Sequence, residues 1–117
     1  MKTTKKDFEL FKKECQDWID ILGLKDWEVR FKYEFVSDDN FAETEFNTIQ
    51  RWVDIKLNME WPIKPTNQEI KKAAFHEALE LRFADIRMIA SSRSFDQDAL
   101  TGETHKIINV FQNIFFD

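Results

Sequence analysis

The pattern of apolar and polar residues at the start of the chain predicts a helix over about residues 5–22. Its apolar positions recur every three or four residues, which is the spacing of one helical face. Thr4 and Asp7 form a capping-box-like start, and Gly23 suits the position just beyond the end. The apolar face consists of Phe8, Phe11, Cys15, Trp18, Ile19 and Leu22.

Alternation of apolar and polar residues next predicts three strands, at about residues 27–36, 41–46 and 49–59. The first has aromatic and aliphatic side chains on one side and charged side chains on the other, which is typical of a half-buried strand. Short polar turns separate the three segments. Three strands in succession, joined by short turns, predict an antiparallel meander.

The next pattern predicts a helix over about residues 67–89. Pro62 and Pro65 cannot continue a central strand, and Thr66 with Glu69 forms a capping box that begins the helix. Apolar residues lie nearly all around the axis of this helix, a distribution typical of a helix that is buried on most sides. Any charged residue inside it therefore needs an explanation.

The last pattern predicts a helix over about residues 102–116, with an alternative start at Ser94, where Gln97 would complete a capping box. The predicted fold class is therefore α+β, with an N-terminal helix, a three-stranded antiparallel sheet, a buried helix and a C-terminal helix. We expect one domain over residues 1–117, because the chain has 117 residues and no linker.

Composition narrows the classes of partner and compartment. The 17 basic and 22 acidic residues leave a net charge of -5, so nucleic acid and anionic membranes are poor default partners. Cys15 is the only cysteine, which excludes an intramolecular disulfide and fits a reducing cytoplasm. We also expect no signal peptide and no membrane span, because charged residues interrupt every apolar run.

The buried helix carries the residues on which a chemical function would depend. His76, Glu77 and Glu80 form an H-E-x-x-E sequence, one residue away from the H-E-x-x-H zinc motif. In that motif, two ligands four residues apart reach one metal, and the Glu after the first His acts as general base on a metal-bound water. Glu77 is thus the candidate catalytic residue, with His76 and Glu80 as candidate metal ligands.

Four short motifs, in this order along the chain, carry a resemblance to a known family. They are Asp26-Trp27-Glu28-Val29, Asn40-Phe41-Ala42-Glu43, His76-Glu77 and Glu103-Thr104-His105-Lys106-Ile107-Ile108-Asn109. With the order of elements around them, they resemble the small zincin-like metallopeptidases of bacteriophage genomes over nearly the whole chain. The resemblance implies a three-stranded sheet packed on the motif helix, and a metal held by two His of that helix and an acidic residue of the final helix.

The chain departs from the family pattern at two positions. Glu80 stands where the family has its second His, and Thr104 stands in what resembles a pair of acidic residues. Helical geometry favours Glu103 as the third ligand, because it lies near the apolar face of the last helix, whereas His105 points away. His105 becomes the alternative if that helix begins later. One imidazole with two carboxylates binds zinc more weakly than two imidazoles do, and favours manganese or no metal.

Each candidate residue also has an ordinary structural interpretation. His76 on a buried helix is more often a hydrogen-bonded core residue than a ligand, and Glu80 can pair with it. Glu77 can be solvated or bonded to a group on another element. His105 can be solvated, and Glu103 can be an acid favoured by the helix dipole.

A second group of residues suggests an interaction surface. Asp38, Asp39, Glu43 and Glu45 predict a solvated acidic surface that could dock a basic partner. Trp52 and Trp61 are the aromatic residues that we expect on an exposed surface of this kind.

These observations leave two function classes open. One is a metal-dependent peptidase or hydrolase, with one zinc or manganese ion, that cleaves a peptide substrate and uses Glu77 as base. The other is a zincin-like relative with a degenerate metal site that binds a protein partner, such as a phage-encoded inhibitor of a host defence protein in the bacterial cytoplasm. The second class is favoured, because only His76 and Glu77 match the motif.

Overall fold

The structure of the protein, a computed structural model, describes residues 1–92 and 96–116. It confirms the predicted α+β class. The predicted alternative helix start at Ser94 lies outside the described residues. The elements within them are α1 (Lys5–Ile21), β1 (Glu28–Glu34), β2 (Ala42–Asn47), β3 (Trp52–Asn58), α2 (Asn67–Arg82), α3 (Ala84–Ser91) and α4 (Gln97–Phe116).

The sheet is mixed, with strand order β1-β3-β2, so the predicted antiparallel meander is wrong. β2 pairs antiparallel with β3, but β1 pairs parallel with the other side of β3. Burial explains the order: Val53, Ile55 and Leu57 of β3 are fully buried, whereas Glu43 and Glu45 of β2 are exposed. The most apolar strand takes the centre, and the short acidic strand becomes an edge.

The hydrophobic core lies between one face of the sheet and the helices α1 and α2. The other face, which we call the open face, carries charged side chains on its strands. Asp54 lies at its centre, where it accepts a hydrogen bond from Arg30 Nε at 2.7 Å and pairs with Lys32 Nζ at 3.1 Å. Its side chain is only 8% exposed because these two cationic side chains cover it.

Local sequence signals set the ends of the helices. Thr4 and Asp7 form the predicted capping box of α1, and Gly23 follows the helix with φ +72. Thr66 caps α2 by accepting a hydrogen bond from the backbone N–H of Glu69. The helix predicted over residues 67–89 is not continuous, because α2 ends at Arg82 and α3 begins at Ala84, with Phe83 between them.

Arg51 connects the β2–β3 turn to two other parts of the fold. Its guanidinium donates hydrogen bonds to Asp26 and Asp85, each at 2.6 Å, and lies 4.0 Å from the centre of the Trp27 ring. Its backbone has φ 60, a left-handed conformation that is unfavourable for a residue with a side chain. These contacts join the β2–β3 turn to α3 and to the segment before β1.

α4 adds to the core through a narrow apolar stripe. Ile107 is buried, and Val110 and Ile114 pack against the core cluster. Phe115 and Phe116 are exposed at the end of the helix. Across the described parts of the chain, no helix has the length and apolar character needed to cross a lipid bilayer.

Candidate cleft between α2 and the edge strand

A cleft of about 360 Å³ lies between α2 and the beginning of the edge strand β2. The α2 residues that line the cleft are spaced three and four apart, so they share one helical face, and this face borders β2. The loop before β2 supplies the opposite wall. The lining residues are Asp39, Asn40, Phe41, Ala42, Glu69, Lys72, Ala73, His76 and Glu77.

Glu77 is the most buried of the residues that line this cleft. The residue is 6% exposed, and its Oε2 accepts a hydrogen bond from Thr44 Oγ1 of β2 at 3.2 Å. Burial raises the pKa of the Glu77 carboxyl above its ordinary value, although His76 and the Thr44 hydrogen bond oppose this rise. Of the two ordinary interpretations of Glu77, a bond to a group on another element is therefore confirmed and solvation is wrong. Its carboxylate is held in a position suited to contact a ligand in the cleft.

His76 lies at the rim of the cleft, where its side chain is 71% exposed. Its interpretation as a core histidine is therefore wrong. Its Nε2 lies 3.4 Å from Glu80 Oε1, which confirms the predicted pairing of these two side chains. Glu80 also accepts a hydrogen bond from Arg87 Nη1 at 3.1 Å. Glu80 thus has a cationic partner from α3 that spacing on one helix could not predict.

Glu103 points inward from α4, as predicted, and its side chain is 15% exposed, whereas His105 is exposed. Its Oε2 lies 3.5 Å from Arg82 Nη2, and its Oε1 accepts a hydrogen bond from Lys106 at 3.0 Å. Arg82 follows His76 by six residues, and therefore lies about 120° away from it around the axis of α2. Neither Glu103 nor His105 lines the cleft.

The structure therefore brings together two of the four candidate metal ligands, His76 and Glu80. Within residues 1–92 and 96–116, no group of three or more His, Cys, Asp or Glu side chains is close enough to hold a metal ion. The carboxylates of Glu80 and Glu103 each lie beside an arginine. Metal binding by His76, Glu80, Glu103 or His105 stays a prediction of the sequence.

The predicted acidic surface divides into two parts. Asp38 and Asp39 are exposed in the loop before β2, and Asp39 lines the cleft. Glu43 and Glu45 are exposed on the open face, where Lys56 donates a hydrogen bond to Glu45 at 3.3 Å. Asp39 therefore belongs to the cleft, Asp38 lies beside it in the same loop, and the two glutamates belong to a surface of mixed charge.

The two tryptophans predicted to be exposed lie in different environments. Trp52 is partly exposed at the start of β3, with the Arg30 guanidinium 4.7 Å from its ring centre. Trp61 is only 2% exposed, so its prediction as an interaction residue is wrong. Its Nε1 donates a hydrogen bond to the Phe41 carbonyl at 2.9 Å, and its ring packs against the Phe41 ring. Trp61 therefore packs behind Phe41 and supports this part of the cleft wall.

Sequence reasoning missed the residues that shape the cleft around Glu77. Glu69 and Lys72 precede His76 by seven and four residues, so helical spacing could have identified them. Thr44 could not be found in this way, because its contact with Glu77 depends on how β2 lies across α2. The Arg82 contact with Glu103 likewise depends on the packing of α4.

Comparisons with protein families, with curated proteins and with solved structures give no match to this chain. The resemblance to zincin-like phage metallopeptidases therefore stays a prediction from its motifs and order of elements.

Proposed function

We propose that the protein is a binding module on a zincin-like scaffold with a degenerate metal site, and that its cleft between α2 and β2 takes a segment of a protein partner. The observation that carries the proposal is the state of the two carboxylates that would have to join His76 as ligands. Glu103 pairs with Arg82, and Glu80 pairs with Arg87, so side chains of the chain itself neutralise both.

The Arg82 and Glu103 pair is the stronger part of this support. Both side chains are largely buried, with exposed fractions of 9% and 15%. Removing one partner of a buried ion pair costs about 3–5 kcal/mol, because the other charge stays buried without compensation. A metal that recruited Glu103 would leave Arg82 in that condition, whereas a partner in the cleft leaves the pair intact.

The charge of the cleft supports a partner with basic residues. Asp38 and Asp39 are exposed at its loop and can attract a positively charged surface over a distance comparable to the Debye length. The resemblance to phage proteins extends this proposal: the partner would be a host protein, such as a defence protein, that is inhibited when the module covers its basic surface.

Peptide binding tests this function directly. Immobilised peptides of equal length, with basic, neutral or acidic residues at matched positions, are probed with the protein at low and high salt. We expect binding to the basic set only, weakened by salt and by Asp39→Lys. An exposed charge pair is worth up to about 1 kcal/mol, so a loss of about two- to fivefold is expected.

Glu9→Lys is the matched control, because Glu9 is exposed on α1 and the substitution changes the charge by the same amount. An equal loss of peptide binding in Glu9→Lys would show that the effect of Asp39→Lys arises from net charge and not from the cleft. Equal binding to all three peptide sets would contradict the proposal.

A metal-dependent peptidase is the second candidate function, and the burial of Glu77 favours it. A carboxyl group with a raised pKa beside a cleft is a suitable general base. This candidate predicts amide hydrolysis in the presence of added zinc or manganese that Glu77→Gln abolishes while the protein stays folded. Hydrolysis that survives the substitution would exclude Glu77 as the base.

A further inference from the structure

We infer that the cleft is a pocket for a single lysine or arginine side chain of the partner, with its cationic end against Glu77 and its aliphatic stem along the apolar wall. The inference rests on the proposed function and names the partner chemistry that the cleft selects.

The charges around the cleft favour a cation. Asp39, Glu69 and Glu77 contribute three carboxylates, against the ammonium group of Lys72 and the imidazole of His76. The Lys72 ammonium lies 3.6 Å from the Glu69 carboxylate on the same helix, so these two charges compensate each other. The Asp39 and Glu77 carboxylates thus keep their charge available for a cation that enters from solvent.

Glu77, the most buried residue of the lining, is the group that makes the cleft selective for a cation. Among the described residues, Thr44 is its hydrogen-bond donor, and it contacts one of the two carboxylate oxygens. The other oxygen can accept an N–H from a ligand. A charge-assisted hydrogen bond to a largely buried carboxylate is stronger than one to a solvated carboxylate.

The walls distinguish an amino-acid side chain from a small inorganic cation. Phe41, Ala42 and Ala73 add apolar surface to the lining of the cleft. Lysine and arginine carry three or four methylene groups that pack on apolar surfaces while their charged ends reach polar groups. A small ion would neutralise Glu77 and leave this lining uncovered.

Two small probes test the inference by NMR titration of the isotope-labelled protein. N-acetyl-lysine methylamide carries the stem and the ammonium group, and N-acetyl-norleucine methylamide carries the stem without the charge. We expect saturable shifts of backbone signals in residues 39–44 and 69–77 with the lysine probe only. Ammonium chloride at the same concentration should leave these signals unchanged.

Variants then assign the contact. Glu77→Gln should weaken binding of the lysine probe by about tenfold or more, because hydrogen bonds to charged groups are worth more than neutral ones. Glu69→Gln, at the rim, should weaken it severalfold. Glu45→Gln on the open face is the matched control and should leave it unchanged. Because Glu69 is partly exposed, its variant keeps the test valid if Glu77→Gln unfolds.

Equal binding of the lysine and norleucine probes, or no weakening in folded Glu77→Gln and Glu69→Gln, would overturn the inference. The outcome is separable from that of the peptide experiment. Binding of basic peptides without binding of the lysine probe would retain the module and refute the single side-chain pocket. Binding of the lysine probe without peptide binding would retain the pocket and refute the module.

Discussion

Glu77 and Asp54 are two buried carboxylates that the chain stabilises to different degrees. Asp54 on the open face has burial raising its pKa, but hydrogen bonds and charges from Lys32 and Arg30 outweigh burial and lower it. Among the described residues, Thr44 donates a hydrogen bond to Glu77, and burial keeps the pKa of Glu77 raised. Two cationic side chains therefore compensate the charge of Asp54, whereas the burial of Glu77 outweighs the opposing effects of His76 and Thr44.

Asp54→Asn should destabilise the protein by about 1–2 kcal/mol at pH 7, because it removes a charged acceptor from two partly solvated cations. A carboxyl whose pKa is lowered by folding stabilises the fold above its unfolded pKa. That contribution is lost as the pH falls through the folded pKa. The difference between wild type and variant in urea unfolding should therefore shrink below the ordinary value of 3.8. A difference that stays constant down to pH 2 would contradict this account.

Glu77→Gln should raise the Tm of the free protein at pH 7. The substitution removes a charge that burial disfavours, and the amide oxygen of Gln can still accept the Thr44 hydrogen bond. A residue kept for function at a cost in stability behaves in this way. Thermal unfolding beside Glu45→Gln is the measurement, and a lower Tm in Glu77→Gln alone would indicate a structural role for the charge.

Periodicity predicted some features of the helices and strands and missed others. Both ends of α1 and the beginning of α2 followed from apolar spacing and from the caps Thr4, Gly23 and Thr66, because these signals are local. Alternation identifies a strand and its two faces but does not identify its neighbours, so the parallel pairing of β1 with β3 could not be predicted. The break at Phe83 was also missed, since apolar residues continue on both sides of it.

The β2–β3 turn offers a test of the Arg51 contacts at the level of elements. Arg51→Ala removes two ion pairs and the contact with Trp27, and leaves a residue with a Cβ at φ 60. Arg51→Gly removes the same contacts but relieves the left-handed conformation. Both variants should be less stable than wild type, with Gly about 1 kcal/mol more stable than Ala. Equal stability of the two variants in urea unfolding would refute the conformational argument.

The attachment of α4 depends on Glu103 and its partner. Glu103→Gln should destabilise the protein by about 3 kcal/mol, because it leaves Arg82 largely buried and unpaired. The double variant Arg82→Met with Glu103→Leu replaces both charges by apolar groups and should recover most of the loss. Hydrogen exchange of α4 measures this, and faster exchange in the double variant than in Glu103→Gln would contradict it.

The whole molecule presents two different surfaces on opposite sides of the sheet. The helical side contains the cleft, with Asp39, Glu69 and Glu77 around an apolar lining. On the open face, Arg30 pairs with Asp54 and Lys56 pairs with Glu45. The sequence predicted acidic residues as a docking surface, but only folding separates the carboxylates that are paired from those that remain available.

The sequence predicted those parts of the candidate site that lie on one helix, and missed those that depend on the packing of different elements. His76, Glu77 and Glu80 lie on one helix, so their proximity followed from spacing alone. Glu103 was correctly expected to point inward, but its contact with Arg82 depends on how α4 packs on α2. Trp61 was expected at the surface because Pro62 follows it, whereas the loop of Phe41 closes over it.

The most direct test of the central claim is the metal content of tag-free protein purified without chelator, measured by elemental analysis beside His76→Ala. We expect the same trace of zinc and manganese in both proteins, and no stoichiometric uptake on titration, because Arg82 pairs with Glu103 and Arg87 pairs with Glu80. One equivalent of metal that is lost in His76→Ala would contradict the account and favour the metal-dependent peptidase.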